Sequence, residues 1–393
     1  MHISHVGLQN WKNFKSTEAS LARRTFLIGP NASGKSNLLD AFRFLHDLAE
    51  DGLSQAVDDR GGVSRLRCLA ARKSPNIAVE VILSESSNPK WRYRIEFNQD
   101  SQRIPKVRQE IVQNLHTGEK IVDRPDDEDE KDEMLLTQTA LEQILANRKF
   151  REIAEFFGSV WYQHVIPQAV RDPQEFSPAP VKDDPFGRDI LQRIWNKAKH
   201  TREAWLRRIS AVLQEAVPQL QGLEVEMDDQ GQPHLIGRFE HWRPHDARQN
   251  ESQFSDGTLR LFGLMWAMFE GKGPLLLEEP ELSLHPEVVQ KLPQLLAELQ
   301  EEIRKMKRQS IADFEPRQLL ISTHSDELLR DSGIGGNEVI LIKPDKEGAI
   351  LEEPGQDEKF ALQNSGLTAA DVLLPKSGPS GQLKFDFERS RTR

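Results

Sequence analysis

Residues 29–40 read GPNASGKSNLLD, from Gly29 to Asp40, directly after the short apolar run TFLI (Thr25–Ile28). Beyond them Leu38, Leu39, Phe42 and Leu45 recur at helical spacing. The chain therefore puts glycine, proline and serine between a buried strand and a helix. Asn31, Ser33 or Ser36 could each cap that helix, and glycine suits a tight turn. The spacing Gly29-x-x-x-x-Gly34-Lys35-Ser36 also fits a loop that cradles phosphate. Glycines let successive N–H groups point inward, and the following helix offers the positive end of its dipole.

That spacing is the Walker A pattern, and the strand before it and helix after it are the context it requires. It makes Gly29, Pro30, Asn31, Ala32, Ser33, Gly34, Lys35, Ser36 and Asn37 candidates for holding a nucleotide, with ATP and Mg²⁺ as the implied cofactors. Lys35 would reach the outer phosphates and the Ser36 hydroxyl would ligate the metal. Hydrolysis needs more: a carboxylate for the metal and a group that takes a proton from water. PLLLEEPE (Pro274–Glu281) is an apolar strand ending in paired carboxylates, which suits Glu278 to the metal and Glu279 to the general base. Acidic residues also favour helix starts, so a strand running into a helix is the plainer alternative. QLLISTHS (Gln318–Ser325) ends a second apolar strand at His324. An imidazole there could sense a γ-phosphate while neutral, or be purely structural. FSDGTLRLFGLMWAMF (Phe254–Phe269) is a turn opening an apolar helix. Ser255 and Asp256 are ordinary caps, but Ser255 and Gly257 could instead face phosphate at a second anion-binding helix start.

Composition narrows the class. With 393 residues the chain is long enough for one large domain with insertions or for two. The longest apolar run, near LFGLMWAMF, is far too short for a membrane span. A single cysteine, Cys68, excludes an internal disulfide and a multi-cysteine metal site, so cytoplasm is the expected compartment. A net charge of −10 argues against a wholly nucleic-acid-binding surface, though not against a basic patch. Such a patch is offered by Arg188, Arg193, Lys197, Lys199, Arg202, Arg207 and Arg208, with Trp195 and Trp205 between them. Both tryptophans lie on the apolar stripe, which favours an amphipathic helix packed on a core.

Along the chain, HISHVGLQ, IAVEVILSE and WRYRIEFNQ alternate as strands, the last two as a hairpin. The acidic run DDEDEKDE (Asp126–Glu133) reads as a solvated loop, followed by helices over 134–157 and 188–217. LEVEMDDQGQPHLIGRFEHW reads as a hairpin turning at Asp229–Gly231. From 251 to 352 helix and strand alternate, which predicts an α/β sheet with parallel strands.

The order NFK, GPNASGKSN, FSDGT, LLLEEPELSLHP and STHSDELL resembles ABC-type ATPases of the chromosome-maintenance, RecF and OLD branch, and most of all the compact AAA family ATPases of bacterial anti-phage operons. The resemblance covers about residues 1–100 and 250–345. It implies an α/β fold: an ABC-type P-loop ATPase head with a mixed sheet and a helical insertion. FSDGT would be the signature loop, so that Ser255 and Gly257 contact the nucleotide held by a partner subunit's loop in a head-to-tail dimer. Glu279 would be the catalytic base, His324 the switch histidine, Ser36 and Glu278 the metal ligands, and Leu282–His285 the D-loop. Asn13 and Phe14 would lie near the nucleotide base or a sheet edge, and Gln163 or Gln168 would sense the metal. The wider superfamily has aspartate where Glu278 stands, although this sub-branch often shows EEPE. The resulting plan is an ATPase lobe over 1–100, a mainly helical insertion with a hairpin over 101–250, a second lobe over 251–355 and a flexible tail over 356–393. No nuclease segment is expected after Lys343, and the ending LKFDFERSRTR could be a docking peptide. The expected partners are a second copy and a separately encoded effector such as a nuclease, with DNA or RNA open and no membrane. A RecF-like DNA repair or loading factor is the alternative.

Overall fold

The computed structural model describes residues 1–71, 74–177, 179, 181–240, 247–308 and 316–377. From the amino terminus the chain runs through β1 (His2–Trp11), β2 (Phe14–Ser20) and β3 (Arg24–Ile28) into the helix Lys35–Glu50. After short helices come β4 (Ile77–Glu85), β5 (Asn88–Gln99), β6 (Pro105–Asn114) and β7 (Lys120–Arg124). Short turns lead to the helix Arg151–Gly158, β8 (Trp161–Gln163) and the helices Ile190–Asn196 and Lys199–Leu213. Next are β9 (Leu220–Met227), β10 (Pro233–Phe239) and β11 (Ala247–Asn250). The last part alternates: helix Asp256–Phe269, β12 (Leu275–Glu278), helix Pro286–Arg308, β13 (Leu319–Thr323), helix Asp326–Leu329, β14 (Val339–Asp345), β15 (Gly348–Glu352), and helices Gln356–Asn364 and Ala369–Ser377.

A six-stranded mixed sheet, ordered β15-β14-β3-β13-β12-β8, is the wall between two cores. Its strands β14, β3, β13, β12 and β8 are parallel. They are continuous apolar runs because both faces are buried. Phe26, Ile28, Leu275, Leu277, Leu319 and Ile321 enter one core with the helices Lys199–Leu213, Asp256–Phe269 and Pro286–Arg308. Leu27, Leu276 and Leu320, from the same strands, enter the other with the helix Lys35–Glu50. That helix is covered in turn by a six-stranded antiparallel sheet, ordered β2-β1-β4-β5-β6-β7. β9–β11 form a small third sheet, with the expected hairpin between β9 and β10.

Register decides what the wall presents. Glu278 pairs with Ser322, and Thr323 pairs with Ile28. Three neighbouring parallel strands thus end together, so Gly29, Glu279 and His324 all leave the sheet at one edge. Open α/β sheets bind ligands at this carboxyl edge.

Several expectations change. Residues 101–250 hold more than helices and one hairpin: β6 and β7 extend the antiparallel sheet, and β8 closes the edge of the mixed sheet. The acidic run is not a plain loop. Asp126 and Asp129 form a capping box on the helix Asp127–Lys131, and buried Asp129 pairs with Arg124. The stretch 134–157 breaks into 3-10 turns and the helix Arg151–Gly158, because Glu142 accepts from Thr139 and Leu53 while the Asn147 amide donates to the Leu141 carbonyl. The stretch 188–217 is two helices, broken where Lys197 and Ala198 turn extended. Residues 356–377, placed in a flexible tail, form two helices that bury Leu362, Ala369 and Leu373. LKFDFERSRTR lies outside the described residues.

Two consecutive side chains before β13 tie the layers together. The Gln318 amide donates to the Ile3 and Ala22 carbonyls and accepts from the Ile3 N–H at 2.8 Å, joining the amino-terminal strands to the mixed sheet. Arg317, fully buried, donates to the carbonyls of Gly273, Ala267, Glu270, Ser159 and Pro274. Burial pulls its pKa down to about 9. Arg317→Met keeps the volume but strands those carbonyls without a donor. Urea unfolding should show a loss of about 3 kcal/mol or more, since each unsatisfied buried group costs roughly 1–3 kcal/mol.

Candidate functional site

The loop after β3 closes around its own glycines. Gly34 has φ 112°, where a side chain is strained, and a Cβ there would sit 2.3 Å from the Asn13 amide nitrogen. A Cβ on Gly29 would meet the Ile342 carbonyl and the Ser33 hydroxyl, each at 2.6 Å. The helix Lys35–Glu50 starts at Gly34 with no side-chain cap, so its first N–H groups open into the loop. Asn31 and Ala32 form the exposed tip, Pro30 is half-buried, and Ser33 is buried with a hydroxyl that has no partner.

Asn13 is the brace of this loop. It donates to the Ser33 carbonyl at 2.8 Å and accepts from the Asn37 amide at 2.8 Å, while the Trp11 indole donates to the Asn37 carbonyl at 2.8 Å. The Asn37 side chain is therefore spent on support rather than aimed at a ligand. Phe14 is fully buried and does not meet a nucleotide base; of the two places expected for it, it takes the second, on β2 at the edge of the antiparallel sheet. Its place on β2 turns it into the core between the sheets.

Lys35 is buried, and its ammonium donates to the Gly29 carbonyl at 2.8 Å and the Pro30 carbonyl at 3.1 Å. Burial lowers its pKa and outweighs the pull of Glu279, Glu281 and Glu278. A cation among carboxylates, bonded only to neutral carbonyls, is suited to receive a polyanion.

The carboxylates come from the end of β12. Glu278 accepts from the Ser36 hydroxyl on one oxygen and from the Tyr162 hydroxyl on the other. Glu279 has φ 43°, unusual for a residue with a side chain, and its N–H donates to the Ser322 carbonyl at 3.0 Å. That turn aims its carboxylate at His324, whose Nδ1 lies 2.9 Å from Glu279 Oε1. Both side chains are solvent-accessible. Glu281 is buried and accepts from the Thr323 hydroxyl at 2.6 Å; burial raises its pKa, and its second oxygen has no partner.

Ser255 and Gly257 stand apart from this group. The Ser255 hydroxyl caps its own helix by accepting from the Thr258 N–H at 3.1 Å. Gly257 lies against Ser283 and Leu284, where a Cβ would be 3.0 Å from the Ser283 carbonyl. Arg171 steadies the approach to this helix, donating to the Phe254 carbonyl at 2.7 Å and pairing with Asp256 at 2.6 Å.

Neither glutamine proposed as metal sensor faces Glu278. Gln163 is buried, accepting from the Trp161 indole and donating to the Pro185 carbonyl; Gln168 is exposed and donates to Asp172. Alternation along β8 puts Tyr162 and His164 on the other face, where the His164 ring lies 3.2 Å from the Glu278 carbonyl. Tyr162 and His164 are the residues that sequence reasoning missed. Their alternation in WYQH was legible; their neighbour β12 was not.

The basic stretch is largely committed internally. Arg188 pairs with Asp189, Arg193 with Asp184 and Glu270, Lys199 with Glu203 and Arg208 with Glu302. Arg202 stacks on Trp195 at 4.3 Å, and Trp205 is in the core. Among the described residues no helix is long and apolar enough to cross a membrane.

The residues fit Mg²⁺ and a nucleotide. Mg²⁺ is usually held by one or two carboxylates plus substrate phosphates, and Ser36 with Glu278 is a donor set of that kind. The glycine cradle, the uncapped helix start and Lys35 match a polyphosphate.

A family model described as "AAA domain, putative AbiEii toxin, Type IV TA system" matches residues 24–330. The match spans well over half of the chain and every motif from Gly29 to His324, and the chain belongs to this family. Among solved structures, an SMC head bound to the C-winged helix domain of ScpA shares 14% identity over 91% of this chain and 99% of that chain, with a TM-score of 0.57. The SMC head domain from Thermotoga maritima shares 14% identity over 90% of this chain and 100% of that one, with a TM-score of 0.47. An SMC head derived from Pyrococcus furiosus, with an extended coiled coil and bound to the C-terminal domain of ScpA, shares 13% over 93% and 99%, at 0.49. A search among curated proteins returned no match. The likeness to the first of these heads concerns the fold, and the expectation of an α/β fold built on a mixed sheet holds.

Gly34→Ala should collide with Asn13 and strain the backbone at φ 112°. ATP affinity, measured by calorimetry, should fall by about tenfold or more, since a shift costing roughly 1.4 kcal/mol is already tenfold.

Proposed function

We propose that this chain binds and hydrolyses ATP as a molecular switch that dimerises head to tail around the nucleotide. The observation that carries the reading is the meeting, at one sheet edge, of the Lys35–Ser36 cradle, Glu278, and the Glu279–His324 pair. Lys35 leaves the Gly29 and Pro30 carbonyls for the outer phosphates. Glu279 takes the proton from the attacking water, and His324, with an N–H on each ring nitrogen, donates from Nδ1 to orient Glu279 and from Nε2 to the γ-phosphate. Ser36 and Glu278 would hold Mg²⁺, which when bound would supply charge neutralisation.

Catalysis across a subunit interface is supported by the position of the signature loop. Ser255 and Gly257 open an exposed helix start, and their contacts run to Thr258, Ser283 and Leu284 rather than to the chain's own cradle. The family's description names a toxin–antitoxin setting. That supports a defence role; in this reading the ATP-bound dimer acts in the cytoplasm and governs a separately encoded effector, such as a nuclease. The RecF-like reading has less support, because most cations of the 188–208 stretch already have partners.

Glu279→Gln keeps the size of the side chain but cannot take a proton. Turnover should drop by about a hundredfold or more, while ATP accumulates in a dimer visible by light scattering. A monomer that still hydrolyses ATP at the wild-type rate would refute the assignment of the base.

Lys35→Ala should lose ATPase activity through its cradle, and Ser255→Arg through its signature loop. In a mixed head-to-tail dimer one composite site carries both lesions and the other neither. Activity should therefore reappear when the two inactive proteins are mixed. Verified mixed dimers without activity would overturn catalysis across the interface.

A further inference from the structure

We propose that Tyr162 is a positioning residue for the metal-binding carboxylate, setting the reach of Glu278 toward Ser36. The inference rests on the ATP reading above and adds to it a residue that no motif identifies.

The geometry starts with β8. Leu277 pairs with Gln163 and Leu276 with Tyr162, so β8 lies flush against the strand that ends in Glu278. The Tyr162 side chain runs alongside and donates its hydroxyl to one carboxylate oxygen of Glu278, while Ser36 donates to the other. The two oxygens are thereby given different partners. One is tied to the sheet edge and the other is presented to the loop.

The tyrosine is itself held. The Arg43 guanidinium lies 4.4 Å from the centre of its ring, and Arg43 belongs to the helix that begins at Lys35. Its backbone is fixed by the ladder to β12, and His164, two residues on, abuts the Glu278 carbonyl. The ring therefore spans from the helix after the cradle to the strand carrying the carboxylate.

This gives a physical reason for glutamate at position 278. A glutamate has one more rotatable bond than an aspartate and loses more freedom when fixed. A hydroxyl anchored on the neighbouring strand removes that freedom before any metal binds. Outer partners of metal ligands commonly change metal affinity by about 10–100-fold when removed.

The test uses the full chain and a fluorescent ATP analogue, whose affinity is measured in EDTA and across a Mg²⁺ titration. Tyr162→Phe keeps the ring and the Arg43 contact and removes only the hydroxyl. The half-saturating Mg²⁺ concentration should rise about tenfold, while affinity in EDTA stays within about twofold of wild type. In a Glu278→Asp background the shorter side chain no longer reaches the hydroxyl, so adding Tyr162→Phe should change the Mg²⁺ requirement no further. A wild-type Mg²⁺ requirement in Tyr162→Phe overturns the proposal, as does an equal loss with and without Mg²⁺, which marks a general structural role. If the wild-type chain binds no nucleotide, the ATP reading falls and this inference with it; nucleotide binding with an unshifted Mg²⁺ requirement removes this inference alone.

Discussion

The parallel ladder between β3, β13 and β12 is the constraint on which the rest depends. Its register ends three strands at one level, with Thr323 opposite Ile28 and Ser322 opposite Glu278. The residue that follows each strand then belongs to the same small volume. A one-residue slip would send each apolar side chain to the opposite core and exchange the faces of Glu278 and Glu279. Two cores of large aliphatic residues, one on each face, make such a slip costly. Burial far from the site thus sets the position of groups at the site.

The edge is held under electrostatic tension. Lys35, Glu278, Glu279 and Glu281 are crowded at the end of the sheet, yet Lys35 bonds to carbonyls, Glu279 to His324 and Glu278 to hydroxyls. Burial favours the neutral forms of Lys35 and Glu281. The φ of Glu279 adds local backbone strain of a sort that collects at functional sites. A polyanion would give Lys35 the countercharge that the Gly29 and Pro30 carbonyls do not.

The segment from β8 to Arg171 connects Glu278 to the start of the helix Asp256–Phe269. Tyr162 and His164 touch Glu278, and Arg171, a few residues later, holds the Phe254 carbonyl and Asp256 at the start of the helix Asp256–Phe269. The carboxylate at the cradle and the loop expected to face a second subunit are thus reached by one short stretch of chain. Gly257 adds a direct contact from that helix to the turn after Glu279.

The sequence by itself determined the local elements whose chemistry is contained in short windows. The Gly29–Ser36 loop, the apolar strands ending at Glu278 and Thr323, and the capped start of the helix Asp256–Phe269 were all legible, because glycine spacing, apolar runs and caps are local signals. The fold class followed from their alternation. Only the tertiary structure decided that Asn13 braces the loop, that Phe14 is core, that β6 to β8 complete two sheets, and that Tyr162 rather than a glutamine meets Glu278. Each depends on pairing between segments up to about three hundred residues apart, as between Ile3 and Gln318. Periodicity shows which face of a strand is apolar; it does not show which strand lies beside it, and that neighbour is what aims a polar side chain.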